Sequence, residues 1–315
     1  MNLFSTLTPG AYTTVQDYAR FGYQQVGIPF SGALDSFAFG VANMLVENPI
    51  NCAVLEITIM GCRLEVLNEA DVAITGAEIG MTLNERPVEC WRSFRVKSGD
   101  ILDIKQVKSG CRAYLSVTGG IDVPKVMGSR STYVGGNIGG YLGRPLKQGD
   151  IIKRGKGLLL SQTRHLSSAL IPQYSSIIDI HAVLGPQDHF FDEGLKTLFE
   201  SEYMVSPKAD RMGYRLQGPV IKHRDNVQKS IISEPSVTGG IQIPADGQPI
   251  ILLVEQTVGG YAKIATVIST DICKIAQATP GDTISFEQVT LETAHALYHD
   301  RQKLMKEIGE LIVDS

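Results

Sequence analysis

A chain of 315 residues, 43% hydrophobic and 20% charged, is long enough for about two domains and too apolar to be disordered. Its net charge of -4 gives no electrostatic basis for general binding to nucleic acid or an anionic membrane, and no basic–aromatic interleaving marks a nucleic-acid surface. Five cysteines without a Cys-x-x-Cys speak against a disulfide framework or a zinc site, and the first residues lack a signal-peptide pattern, so a soluble cytoplasmic protein is expected, with no membrane span.

The elements follow from period and punctuation. Residues 35–47 read as a helix with Asp35 as N-cap. Period-2 alternation predicts strands over 62–67 and 101–107, and the apolar run 113–118 suits a strand buried on both faces. Turns are marked by Ser98-Gly99-Asp100 and Gln148-Gly149-Asp150, and the Pro/Ser-rich stretch 161–176 reads as a connection. Beyond it come a helix over 188–200, a turn at Ala245-Asp246-Gly247 and a buried strand over 249–255. A short helix over 270–277, a turn at Pro280-Gly281-Asp282 and a helix from Leu291 to about Ile312 complete the chain. The 32 glycines fit a β-rich fold with many turns and bulges.

Two segments repeat: Thr118–Pro124 reads TGGIDVP and Thr238–Pro244 reads TGGIQIP. Val134-Gly135-Gly136 follows the first and Val258-Gly259-Gly260 the second, and each half then carries a Gly-Asp turn into an apolar strand. Coincidence in a glycine-rich chain is one reading; two related β-barrel lobes, residues 1–165 and 166–315, are the other.

Three Gly/Arg-rich segments are the candidates for chemistry. The first runs from Gly128 to Arg144, where glycines would expose N–H groups to an anion and Arg130 and Arg144, with Ser131, would grip a carboxylate or phosphate. A barrel corner with arginines paired to structural carboxylates would need the same residues. The second holds Asp210, Arg211 and Arg215, with an intra-loop ion pair as the bland alternative. The third holds Gln256, Thr257, Tyr261 and Lys263 just after a buried strand, where polar groups emerge at a barrel end or merely satisfy local backbone. Ser31 and Asp35 lie in another polar stretch, Asp35 with capping as its simpler use. His295 and His299 share a helical spacing but lack a third ligand, so no metal is expected; Met212 and Trp91 read as packing residues, and no Ser-His-Asp or Cys-His set is legible.

Together these motifs resemble one family, the KipA-like proteins that include the C subunit of 5-oxoprolinase, also called allophanate hydrolase subunit 2 or biotin-dependent carboxyltransferase-like. The carriers are TTVQD at 13–17 with Arg20, SGALD at 31–35, LEIT at 55–58, GGIDVP, GSRST at 128–132, Gly143-Arg144, DRMGYRL at 210–216, GGIQIP and QT-x-GGY at 256–261. The resemblance implies a mainly β chain of two cyclophilin-like β-barrel lobes with a few short helices and a C-terminal helix. It implies one component of an ATP-dependent hydrolase that opens the lactam of 5-oxoproline to glutamate. ATP, with magnesium, would be shared with two partners, a KipI-like B subunit and a LamB/YcsF-like A subunit, the substrate being a small carboxylate or amide. It equally allows a KipI-binding regulator or the carboxyltransferase module of a urea carboxylase-type system, with no biotin attached to this chain. The family commonly reads A-D-R-Q-T-T-G-G-Y at the third segment; here Val254, Glu255 and Val258 replace its acid, arginine and one threonine.

Overall fold

A computed structural model describes residues 1–314 of the chain. Strands dominate it, and the described residues include four α-helices, the last at Leu291–Leu311. Two compact units separate: one contains Met1–Arg20, Ser31–Tyr174 and Leu304–Ser315, the other Phe21–Phe30 and Ser175–Lys303.

The first unit is organised on a nine-stranded sheet. Its spine is the antiparallel pair Ala70–Leu83 and Ile101–Val117, whose register shifts three times between Gly76 and Met81. Each shift breaks the ladder locally and bends it, so the long pair curls. The expected strands 101–107 and 113–118 are therefore one strand, because Ser109 and Val107 pair across these bulges with Glu78 and Ile79. The apolar run 113–118 is indeed covered on both faces. Ala113, Leu115 and Val117 join Leu55, Leu64 and Ile74 on one side, and Tyr114 packs with Phe37, Val41 and Leu45 of helix Ser36–Leu45 on the other. That helix carries no charge in its ten residues because it is buried nearly all round; Asp35 starts it by accepting the Ala38 N–H at 2.9 Å. Trp91 lies in the same cluster, its ring 6.1 Å from that of Phe37, a packing residue as its sequence context implied.

The second unit holds an eight-stranded sheet in which Ile177–Leu184 and Thr283–Gln288 run parallel while the other pairs are antiparallel. Along Gly213–Gln217, Tyr214 and Leu216 enter the core and Arg215 and Gln217 face outward. The expected strand 249–255 is paired as a strand only over Ile250–Leu252; beyond it the Leu253 and Glu255 N–H groups stitch to Met212 O and Arg211 O. The helix expected over 188–200 breaks into a 3₁₀ turn, Asp188–Phe190, and the helix Glu193–Glu200, with Phe191 buried at the break. That over 270–277 likewise starts as a 3₁₀ turn, Ser269–Asp271.

The two TGG turns make the same backbone demand. Gly119 has φ +86 and Gly239 φ +91, and a Cβ would lie 2.6 Å from Gly155 O in the first and 2.8 Å from Val267 O in the second. Only glycine meets both conditions, which is why the pair stands out in the sequence.

Candidate functional site

In the first unit the polar motifs are bonded to one another. Asp17 Oδ1 accepts from Ser129 Oγ at 2.6 Å and Ser131 Oγ at 2.5 Å, and Oδ2 from the Arg130 N–H at 2.6 Å. Buried Arg20 donates to Val126 O and Ser131 O; burial lowers its pKa, partly offset by the charge of Asp17. Gln16 accepts the Gly32 N–H and donates to Thr14 Oγ1 and Thr132 O. Four N–H groups of the segment are taken up within the unit: Arg130 on Asp17, Ser131 on Ser129 Oγ, Thr132 on Val15 O and Gly140 on Arg130 O. The Arg130 side chain reaches Val123 O at 2.8 Å and lies 3.7 Å from Asp122. Arg144 holds Asp150 in a two-pronged bond of 2.7 and 2.8 Å beside the Tyr141 ring. Asp35 is a helix cap, and Ser31 is buried at φ +53, its Oγ without a hydrogen-bond partner. Of the residues expected at an anion site here, Arg130 and Ser131 are bonded through Asp17 to the end of strand Tyr12–Gln16, whereas Arg144 pairs with Asp150.

In the second unit two more of the expected cations are committed. Arg211 Nε donates to Glu255 Oε1 at 2.6 Å, with 6% and 8% of the two side chains exposed. Lys263 is buried and pairs with Glu234, whose pKa that bond pulls below the usual carboxylate range. Thr257 O accepts from the Gln24 side chain.

Four of the expected residues, Asp210, Arg215, Gln256 and Tyr261, converge on a pocket of about 480 Å³ over the outer face of the second sheet. Its floor is apolar, from Ile250 and Leu252, and Lys208 and Gln242 add polar groups. Two cations stand against one carboxylate, whose Oδ1 is engaged in its own turn: Asp210 Oδ1 accepts the Met212 and Gly213 N–H groups. Such a lining suits a small anion with an apolar body. Met212, expected as packing, is half exposed at the pocket's edge.

Lys208 and Gln242 were missed by sequence reasoning. The I-Q-I alternation of Ile241–Ile243 was the signal for Gln242, since successive side chains of a strand point to opposite faces of the sheet. Register then aligns it: Arg215 pairs with Ile250, and Ile250 with Gln242, so the three stand side by side on adjacent strands. Among the described residues, no group of three or more His, Cys, Asp or Glu gathers in a way that would hold a metal ion, and no helix is long and apolar enough to cross a membrane.

Comparison with known proteins gives four matches of consequence. The family model "Carboxyltransferase domain, subdomain A and B" matches residues 26–288. The chain is 38% identical over 311 residues to the C subunit of 5-oxoprolinase from Escherichia coli, covering 98% of both chains. It is 34% identical to urea amidolyase of Lachancea kluyveri over 93% of its own length but only 17% of that protein's. The crystal structure of K. lactis urea amidolyase superposes with a TM-score of 0.91 at 32% identity, over 99% of this chain and 21% of the other.

Proposed function

Because the chain belongs to the carboxyltransferase domain family, subdomains A and B, we propose that it is the C subunit of a 5-oxoprolinase-type enzyme, which opens the lactam of 5-oxoproline to glutamate at the expense of ATP. The observation that carries this reading is the match to the E. coli 5-oxoprolinase C subunit, which extends over 98% of each chain. The chemistry gives the pocket a task. An unstrained lactam is a poor electrophile; transfer of the ATP γ-phosphoryl group to its oxygen makes the ring carbon open to water. Water adds to that carbon, the C–N bond breaks with protonation of the nitrogen to leave γ-glutamyl phosphate, and a second water displaces phosphate to yield glutamate. This chain's part is to hold the substrate: Arg215 and Lys208 take the carboxylate, and Ile250 and Leu252 take the ring methylenes. In this reading ATP and magnesium are shared with the KipI-like and LamB/YcsF-like partners.

The second reading, a carboxyltransferase module acting with biotin carried elsewhere, is favoured by the superposition on K. lactis urea amidolyase. A mixture of this chain with its KipI-like and LamB/YcsF-like partners, ATP and 5-oxoproline should form glutamate and ADP in equal amounts. Carboxylation of urea, on adding a biotin carboxylase and a biotinylated carrier, with no glutamate in the first mixture would select the second reading instead.

A further inference from the structure

Gln242 lines the pocket with a side-chain amide that the fold leaves partly unused. It stands on Gly240–Ile243, is 3% exposed, and its Nε2 is buried without a hydrogen-bond partner. Its carboxamide packs on Gly259, where a Cβ would overlap Nε2. The neighbouring strand thus gives up a side chain at the place where this amide lies. On the same sheet face Arg215 stands two strands away across Ile250, and Lys208 lines the same pocket.

We propose that Gln242 is the specificity-determining residue of this pocket, pairing its carboxamide with the amide group of a small ligand whose carboxylate is taken by Arg215 and Lys208. Two cations fix a carboxylate but cannot tell a lactam from a hydrocarbon ring. A carboxamide can, because it carries a donor and an acceptor side by side, the complement of a lactam's C=O and N–H, and its terminal torsion is soft enough to exchange the two ends. A ligand lacking the amide leaves a buried polar group unpaired, which is how such a site rejects it. The inference rests on the proposed function only for the choice of 5-oxoproline as the probe.

The test is calorimetric titration of the full chain, and of its complex with the KipI-like and LamB/YcsF-like partners, using 5-oxoproline and cyclopentanecarboxylate, which has the same ring size and carboxylate but no amide. The wild-type protein should prefer 5-oxoproline by about tenfold or more. Gln242→Met should bring the two affinities together while keeping cyclopentanecarboxylate binding. Gly259→Ala, which leaves Gln242 in place but crowds its amide, should lower the preference too, and circular dichroism checks that both variants fold. An undiminished preference in Gln242→Met, or wild-type protein that binds neither compound, overturns the proposal. Glutamate formation is measured separately, so a complex that turns over 5-oxoproline with no effect of Gln242→Met sinks this inference and leaves the proposed function standing.

Discussion

Replacing Glu255 by methionine strips a buried guanidinium of its carboxylate. Arg211 and Glu255 meet at 2.6 Å with less than a tenth of either side chain exposed. An exposed pair of this kind contributes ~0–1 kcal/mol, whereas breaking a buried one costs about 3–5 kcal/mol, because the remaining charge stays out of water. The Glu255 N–H also bonds Arg211 O, so the pair bridges two segments already joined by backbone and has little freedom to open toward solvent. The upper class of magnitude therefore applies. For a unit of this size the loss lowers the melting temperature by on the order of 10 °C. Urea unfolding followed by circular dichroism should show the midpoint falling at unchanged slope. The double variant Arg211→Met/Glu255→Met should regain much of the loss, since it removes the stranded charge as well. A cost under about 1 kcal/mol for Glu255→Met, or a double variant worse than the single by the full cost again, refutes the reasoning.

Acid should weaken the second unit partly through Glu234: the Lys263 bond holds its pKa below the ordinary glutamate value, so the pair's contribution is full above that value and is lost as pH falls through the lower, folded one. Glu234→Gln should therefore flatten the fall of stability with pH in that window, read from urea midpoints at successive pH values. Gly119→Ala and Gly239→Ala should each cost about 1–3 kcal/mol in chemical unfolding, a matched pair, since both place a Cβ against a carbonyl at positive φ. Ser131→Ala removes one of the two hydroxyl donors to Asp17 and should cost about 1–3 kcal/mol in the same experiment, with ligand binding at the pocket of the second sheet unchanged.

What the sequence made legible was local. The TGG turns announced themselves because only glycine tolerates their φ and their crowding. The helix after Asp35 was visible from its cap, and the burial of 113–118 from its unbroken apolar run. The arginines left two readings open in the sequence, ligand contact or ion pair, because their partners are fixed by the fold. Arg211 meets Glu255 from 44 positions away, and the Arg130 backbone N–H meets Asp17 from 113, although its guanidinium is bound nearby by Val123 O. Even the near pair Arg144–Asp150 looked like a free arginine followed by an ordinary turn. Among the arginines named from sequence, Arg215 reaches the pocket because its strand faces it outward between two core residues. Gln242 needed the register of three strands to be seen beside it. Glu255, which departs from the family's arginine, was legible as a change of charge, but that it closes a buried pair was not.

Kinetics of the reconstituted complex with wild-type and Arg215→Met chains test the central claim most directly. Glutamate formation from 5-oxoproline should require ATP and this chain, and Arg215→Met should lower kcat/KM for 5-oxoproline about 10- to 100-fold, mainly through KM, with the melting temperature unchanged. Turnover by the KipI-like and LamB/YcsF-like partners that is indifferent to this chain, or identical kinetics for the two chains, would contradict the account.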